Sequence, residues 1–211
     1  IVGATGAGKS TIINLLSRFY EIQKGKITID HINIKNVPLK QLRSQISVVL
    51  QDVFLFADTI LGNITLNNPE IAEADVIQAA KDIGIHKFIM TLPDGYHFNV
   101  KERGGMLSSG QRQLIAFLRA YVSNPGILVL DEATSSVDSY SEQLLQKATL
   151  KVTEGRTSIV IAHRLATIKK ADTMLVMDEG KIVEKGAHKD LLKIENGCYR
   201  NLYEVQFMAE E

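Results

Sequence analysis

Eight residues near the start of the chain, Gly3-Ala4-Thr5-Gly6-Ala7-Gly8-Lys9-Ser10, constrain it more than any other stretch. They satisfy the pattern G-x-x-x-x-G-K-[ST], a phosphate-binding P-loop. Glycines let the backbone turn tightly and approach a ligand with no Cβ in the way. Successive N–H groups then point into one concavity that favours anions. Lys9 reaches the outer phosphates, and the Ser10 hydroxyl is suited to Mg²⁺. Thr11 to Tyr20 reads as a helix, with apolar positions at Ile12, Leu15, Leu16 and Phe19. Such a helix aims the positive end of its dipole at the phosphates. The expected phosphate-binding set is therefore Gly3, Ala4, Thr5, Gly6, Ala7, Gly8, Lys9, Ser10 and Thr11.

At 211 residues the chain suits one α/β domain, or a domain with a subdomain, and can bury a sizeable core. Lysine plus arginine number 24, and so do aspartate plus glutamate. That balance gives no reason to expect nucleic acid as a partner. The single cysteine, Cys198, allows no internal disulfide and suggests a reducing compartment. No signal peptide and no apolar run of membrane-spanning length is visible.

Along the chain, Lys26 to Asp30 alternates as a strand, and His31 to Ile34 continues the pattern. Pro38 opens a short helix, Leu39 to Ser44. Ile46 to Leu50 is an apolar strand ending on Gln51-Asp52, followed by the bulky run Val53-Phe54-Leu55-Phe56. From 67 to 124 the texture becomes helical, with helices expected at 72–83, 86–92 and 111–123, and Pro93-Asp94-Gly95 as a break. Ile127 to Leu130 is a buried strand ending on Asp131-Glu132, and a helix follows over 141–151. Thr157 to Ala162 is a further buried strand ending on His163. Thr173 to Met177 and Lys181 to Glu184 flank the turn Asp178-Glu179-Gly180, and short helices near Asp190 and Tyr199 close the chain.

Three buried strands thus end in polar residues, at Gln51, Asp131-Glu132 and His163. In a parallel sheet such ends share the edge where a P-loop sits. Phosphoryl transfer needs these parts. Asp131 is suited to the Mg²⁺ shell together with Ser10, and Gln51 is a candidate to touch Mg²⁺ or the attacking water. Glu132 is the candidate general base toward water, and His163 is a candidate to hydrogen-bond the terminal phosphate or Glu132 and so sense whether ATP is intact. Each type alone is commonly structural; their occurrence together with the P-loop gives them a catalytic reading.

These motifs resemble the nucleotide-binding domain of an exporter-type ATP-binding cassette (ABC) transporter, over Ile1 to about Phe207. The resemblance rests on the P-loop and on a glutamine loop at Gln51. It rests equally on a signature at Leu107-Ser108-Ser109-Gly110-Gln111, the Asp131-Glu132 strand end, a D-loop Ser135-Ser136-Val137-Asp138 and a switch segment Ala162-His163-Arg164-Leu165. Exporter character comes from Phe56 to Ile60 with Asn63-Ile64, from Glu102-Arg103-Gly104, and from Gly186-Ala187-His188. Ser109 stands where glycine is usual, and so does Asp58.

The resemblance implies a P-loop NTPase fold with a mostly parallel sheet, an inserted helical subdomain over 67–124, and ATP hydrolysis with Mg²⁺. It also implies a second cassette paired head to tail, with the signature of one closing over the ATP of the other. Membrane helices are expected in the same polypeptide, so that the domain lies on the cytoplasmic face of a membrane. The adenine-stacking aromatic and the strands before the P-loop are expected upstream of Ile1. Val53 to Phe56 and Asn99 to Arg103 are expected to meet the membrane domain. An importer subunit and a chromosome-maintenance or DNA-repair ATPase are the alternatives. The latter usually insert a long coiled coil between glutamine loop and signature, for which Gln51 and Leu107 stand too close.

Overall fold

A computed structural model describes residues 1–132, 139–162 and 164–206. The chain opens with β1 (Val2–Gly3), α1 (Lys9–Leu16), β2 (Thr28–Ile29), β3 (Ile32–Asn33), α2 (Leu39–Ser44) and β4 (Ile46–Val49). Helices then dominate: α3 (Ile60–Thr65), α4 (Glu73–Asp82), α5 (His86–Ile89) and α6 (Ser109–Val122). They are followed by β5 (Ile127–Asp131), α7 (Ser139–Thr153), β6 (Thr157–Ile161) and α8 (Leu165–Lys170). Last come β7 (Met174–Asp178), β8 (Lys181–Gly186), α9 (His188–Leu191) and α10 (Cys198–Gln206). Among the described residues the strands form sheets of order β1-β7-β8, β2-β3 and β4-β5-β6. The chain divides into two units. One takes Ile1–Ile46, Val129–Thr134 and Ile159–Glu211; the other takes Ser47–Leu128 and Ser135–Ser158.

In the first unit β1 runs parallel to β7, with Val2 opposite Val176 and Gly3 opposite Met177. β8 returns antiparallel to β7 through a turn in which Glu179 and Gly180 take positive φ, as the sequence predicts. The amide of Ala162, just beyond β6, donates to the Ile1 carbonyl at 3.1 Å, tying β6 to the strand that leads into the P-loop. Val2, Ile168, Met174, Val176, Leu191 and Tyr199 form the centre of the core here.

Two expectations change. The first helix stops at Leu16 rather than Tyr20, because Ser17 is its C-cap and Arg18 turns left-handed at φ 50°. The buried residues of α1 are Ile13 and Leu16. Phe19 is 60% exposed, and its ring lies 4.8 Å beneath the Arg43 guanidinium. Arg43 also donates to the Ser17 and Arg18 carbonyls at 3.1 and 3.0 Å, satisfying orphan acceptors past the helix end. Second, the alternating pattern from Lys26 to Ile34 is a hairpin. Asp30 (φ 47°) and His31 (φ 66°) make its two-residue turn, and Ile29 pairs with Ile32.

In the second unit α6 packs against α3, α4 and α7. It buries Leu114, Ile115, Phe117 and Leu118 together with Gln113. Helix α3 is absent from the sequence reading; it starts at Thr59, whose hydroxyl accepts from the Gly62 amide at 2.9 Å. Fully buried Asn63 accepts from the Phe56 amide and donates to the carbonyls of Phe56 and Thr59. Arg119 of α6 donates to the Asn63 carbonyl at 2.8 Å, and burial lowers the pKa of its guanidinium. Among the described residues no helix is long and apolar enough to cross a membrane.

Candidate functional site

The P-loop is built on β1 and held from one side by β7. Gly3 has φ +152°, and a Cβ there would lie 2.3 Å from the Met177 carbonyl oxygen. Glycine is therefore what lets β1 lie against β7. The Gly180 amide donates to the Ala7 carbonyl at 3.1 Å and pins the middle of the loop to the β7–β8 turn. Gly8 caps α1 at φ 96°, with no side-chain hydrogen bond at the cap. The first N–H groups of a helix have no partner within it. Here no cap side chain covers them, and Ala4, Thr5, Gly6, Ser10 and Thr11 are exposed. This is a cradle for an anion.

Lys9 lies half-buried at the cradle. Its ammonium donates to the carbonyls of Gly3 at 2.7 Å and Ala4 at 2.9 Å. Burial lowers its pKa, and the nearby negative charge of Asp131 partly opposes that shift. Asp131 ends β5, and Glu132 follows, only 8% exposed. The Glu132 amide donates to Ile161 of β6 at 3.1 Å. Its carboxylate accepts from the Thr167 hydroxyl at 2.5 Å on Oε1 and from the Arg164 amide at 3.3 Å on Oε2. Arg164 belongs to the switch segment of the resemblance, whereas Thr167 does not stand out in the sequence: a threonine beyond that segment carries no periodic or motif signal. The structure thus brings Gly3 to Thr11, Asp131 and Glu132 into one unit. A hydroxyl at Ser10 and a carboxylate at Asp131 are the hard oxygen donors that Mg²⁺ takes beside phosphate.

The remaining predicted residues lie in the second unit or outside the described residues. Gln51 is exposed in the bend after β4. The signature forms the start of α6. Leu107 is buried, and Ser108 is the N-cap. The Ser108 hydroxyl oxygen accepts from the Gln111 amide at 3.2 Å, while the Gln111 side-chain oxygen accepts from the Ser108 amide at 3.0 Å. This is a complete capping box. A hydroxyl that accepts from its own helix still has a hydrogen to donate outward. Ser109 is exposed at the first helical position and Gly110 is buried. Asp138 and His163 lie outside the described residues. Leu55 is fully buried, whereas Phe54 and Phe56 are 56% and 54% exposed, packed edge to face at 5.1 Å.

Residues 1–135 match the family described as ABC transporter. The chain belongs to this family. It is 51% identical over 207 residues to an ATP-dependent lipid A-core flippase of Saccharophagus degradans, which covers 98% of this chain and 35% of that protein. It is 47% identical over 206 residues to a probable multidrug resistance ABC transporter ATP-binding/permease protein of Bacillus subtilis, covering 98% of this chain and 30% of that protein. The solved structure of a bacterial Atm1-family ABC exporter with ATP bound is 45% identical, with a TM-score of 0.88 over 98% of this chain and 36% of that one. The chain spans about a third of the length of these relatives. It has the ABC ATPase fold and is a nucleotide-binding domain of that family.

Within this ABC domain, Asp58 has a clear local setting. Its Oδ1 accepts from the Thr59 amide at 2.6 Å, and its carboxylate folds over Gly62, where a Cβ would meet Oδ2 at 2.3 Å. The Asp58 carbonyl accepts from Val100, and the Ile60 amide donates to Phe98, so this stretch is tied to the segment leading to the signature. That segment enters α6 through Lys101 (φ 60°, ψ −172°) and Arg103 (φ 54°, ψ 22°), both at positive φ.

Proposed function

We propose that this domain binds and hydrolyses ATP and, through ATP-driven pairing of two cassettes, powers export by a membrane domain in the same polypeptide. One observation carries the reading. The half-buried Lys9 ammonium at an uncapped helix start lies in the field of Asp131, next in sequence to the buried carboxylate of Glu132. Lys9 and the loop amides between Gly3 and Thr11 that are not already bonded bind the phosphates; the Ala7 and Thr11 amides donate to the Ala4 and Gly8 carbonyls at 3.1 Å each. Ser10 and Asp131 would hold Mg²⁺, which when bound would neutralise charge on the phosphates; Gln51 is assigned to Mg²⁺ or to the attacking water. Glu132 takes a proton from water as the water oxygen bonds to the terminal phosphorus and the bond to the bridging oxygen breaks, giving ADP and phosphate.

His163 is assigned to sensing the terminal phosphate and Asp138 to the contact between cassettes. Leu107 to Gln111 contact the ATP held by the second cassette, where Ser108 donates its hydroxyl hydrogen. ATP then joins the two cassettes, and its hydrolysis releases them. The relatives named above as a flippase, a multidrug resistance permease and an exporter favour export over import or DNA maintenance. The exposed Phe54 and Phe56 suit contact with the membrane domain at the cytoplasmic face, with Asn99 to Arg103 as the second contact.

The deciding experiment is Glu132→Gln in the full-length polypeptide. ATP binding is retained, phosphate release falls by about 10²–10⁴-fold, and Mg-ATP holds the cassettes in a closed pair. Phosphate release at the wild-type rate, at matched ATP occupancy, removes Glu132 from the base role.

A further inference from the structure

We infer that Thr167 is a positioning residue for hydrolysis: its hydroxyl aims the Glu132 carboxylate. The inference rests on the reading of Glu132 as general base. Glu132 lies just past the end of β5, where its backbone amide donates to the Ile161 carbonyl. The side chain beyond has three rotatable bonds, and a base must present a lone pair to water in a narrow range of directions. Two donors supply that constraint. The Thr167 hydroxyl bonds Oε1 at 2.5 Å, and the Arg164 amide bonds Oε2 at 3.3 Å. A carboxylate offers about four lone-pair sites, and these two bonds, one on each oxygen, orient it. The shorter bond is the one from Thr167, a charge-assisted O–H···O contact of the stronger kind.

Both donors come from the segment directly after position 163. Arg164 is the N-cap of α8, and Thr167 lies in its first turn. The helix is anchored below by buried Leu165 and Ile168. The base is therefore oriented by the segment that carries His163, the residue assigned to the terminal phosphate. A shift of that segment reaches Glu132 through one hydroxyl and one amide. The amide is present whatever the side chains are, so Thr167 is the replaceable half of the clamp.

The experiment compares Thr167→Val, Thr167→Ser, Glu132→Gln and the double variant Glu132→Gln/Thr167→Val in the full-length polypeptide, by steady-state and single-turnover phosphate release. Valine keeps the branched shape and removes the donor. We expect Thr167→Val to lower kcat about tenfold with KM for ATP unchanged, and Thr167→Ser to restore the wild-type rate. In the Glu132→Gln background, adding Thr167→Val lowers the rate no further. Wild-type kcat in Thr167→Val overturns the inference while leaving Glu132 as base. So does an equal loss in Thr167→Val and Thr167→Ser, which marks a packing role for the methyl group, and so does a further tenfold loss on top of Glu132→Gln. Wild-type turnover by Glu132→Gln itself overturns the base reading, and the positioning role with it.

Discussion

Two helices of this domain begin at motifs that the proposed cycle aims at phosphate, and they begin differently. α1 starts after Gly8, a left-handed residue whose lack of a side chain leaves the first-turn amides uncapped. α6 starts after Ser108, with a reciprocal Ser108–Gln111 box that satisfies two backbone amides from within. The approaches differ as well. The loop into α1 takes positive φ only at glycines, whereas the loop into α6 takes it at Lys101 and Arg103. One start is open and unstrained, ready for a ligand to complete it. The other is closed on itself, and the strain lies just upstream. In the proposed cycle the first holds its own nucleotide whether or not the cassettes are paired, while the second meets a nucleotide only when a second cassette arrives.

The largest effect that bears on this contrast is at the open end. Lys9→Ala removes the cation of the α1 cradle, and ATP turnover should fall by on the order of 10²-fold or more. Phosphate release and nucleotide binding in the full-length polypeptide measure it, and wild-type turnover would break the assignment.

Ser108→Ala should act differently, because it removes a cap as well as a ligand group. Urea unfolding should show a loss of about 1 kcal/mol, with ATP binding to this domain's own P-loop unchanged. A loss of ATP binding without loss of stability would invert the comparison.

Lys101→Gly tests the strained approach. The position has φ 60° and ψ −172°, a region essentially reserved for glycine, so the substitution should raise stability by about 1 kcal/mol. An unchanged urea midpoint would mean that the loop stores no strain.

The smallest effect is expected at the far ends of the two helices. Ser17 caps the C-terminus of α1, and its buried hydroxyl has no hydrogen-bond partner among the described residues. Ser123 does the same for α6, and its hydroxyl donates to Ala120 at 2.9 Å. Ser17→Ala should therefore be neutral or stabilising by up to about 0.5 kcal/mol, and Ser123→Ala destabilising by about 0.5–1 kcal/mol. Equal effects would show that the hydroxyl bond does not distinguish the two ends.

What the sequence made legible was local. The P-loop and the polar tip of β5 each lie within a few consecutive residues, so spacing identifies them. The turn at Asp178 to Gly180 was legible for the same reason. The signature at Leu107 to Gln111 came from the resemblance, and its helix was expected from Gln111, whereas it starts at Ser109 with Ser108 as its cap. What stayed hidden depends on contacts between distant residues. Phe19 reads as core because its spacing continues that of α1, yet the helix ends early where Arg18 turns and Arg43 of α2 covers the carbonyls. The Asp30-His31 turn was hidden because both residues are polar members of an unbroken alternation and neither is a glycine. Thr167 was hidden because its importance comes from a carboxylate 35 positions earlier.

The pairing of Gly3 with Met177 also sets when the domain can first hold a nucleotide. At about 5–20 residues per second, a ribosome reaches Met177 roughly 10–35 s after it makes Gly3. Until then the loop has neither the parallel neighbour that shapes Gly3 nor the Gly180 amide that holds Ala7. The P-loop is thus made well before the β7 neighbour that completes it, and through that interval β1 lacks its partner on that side. A nascent chain released before β7 and β8 emerge would carry the whole glycine-rich motif and have no cradle for ATP.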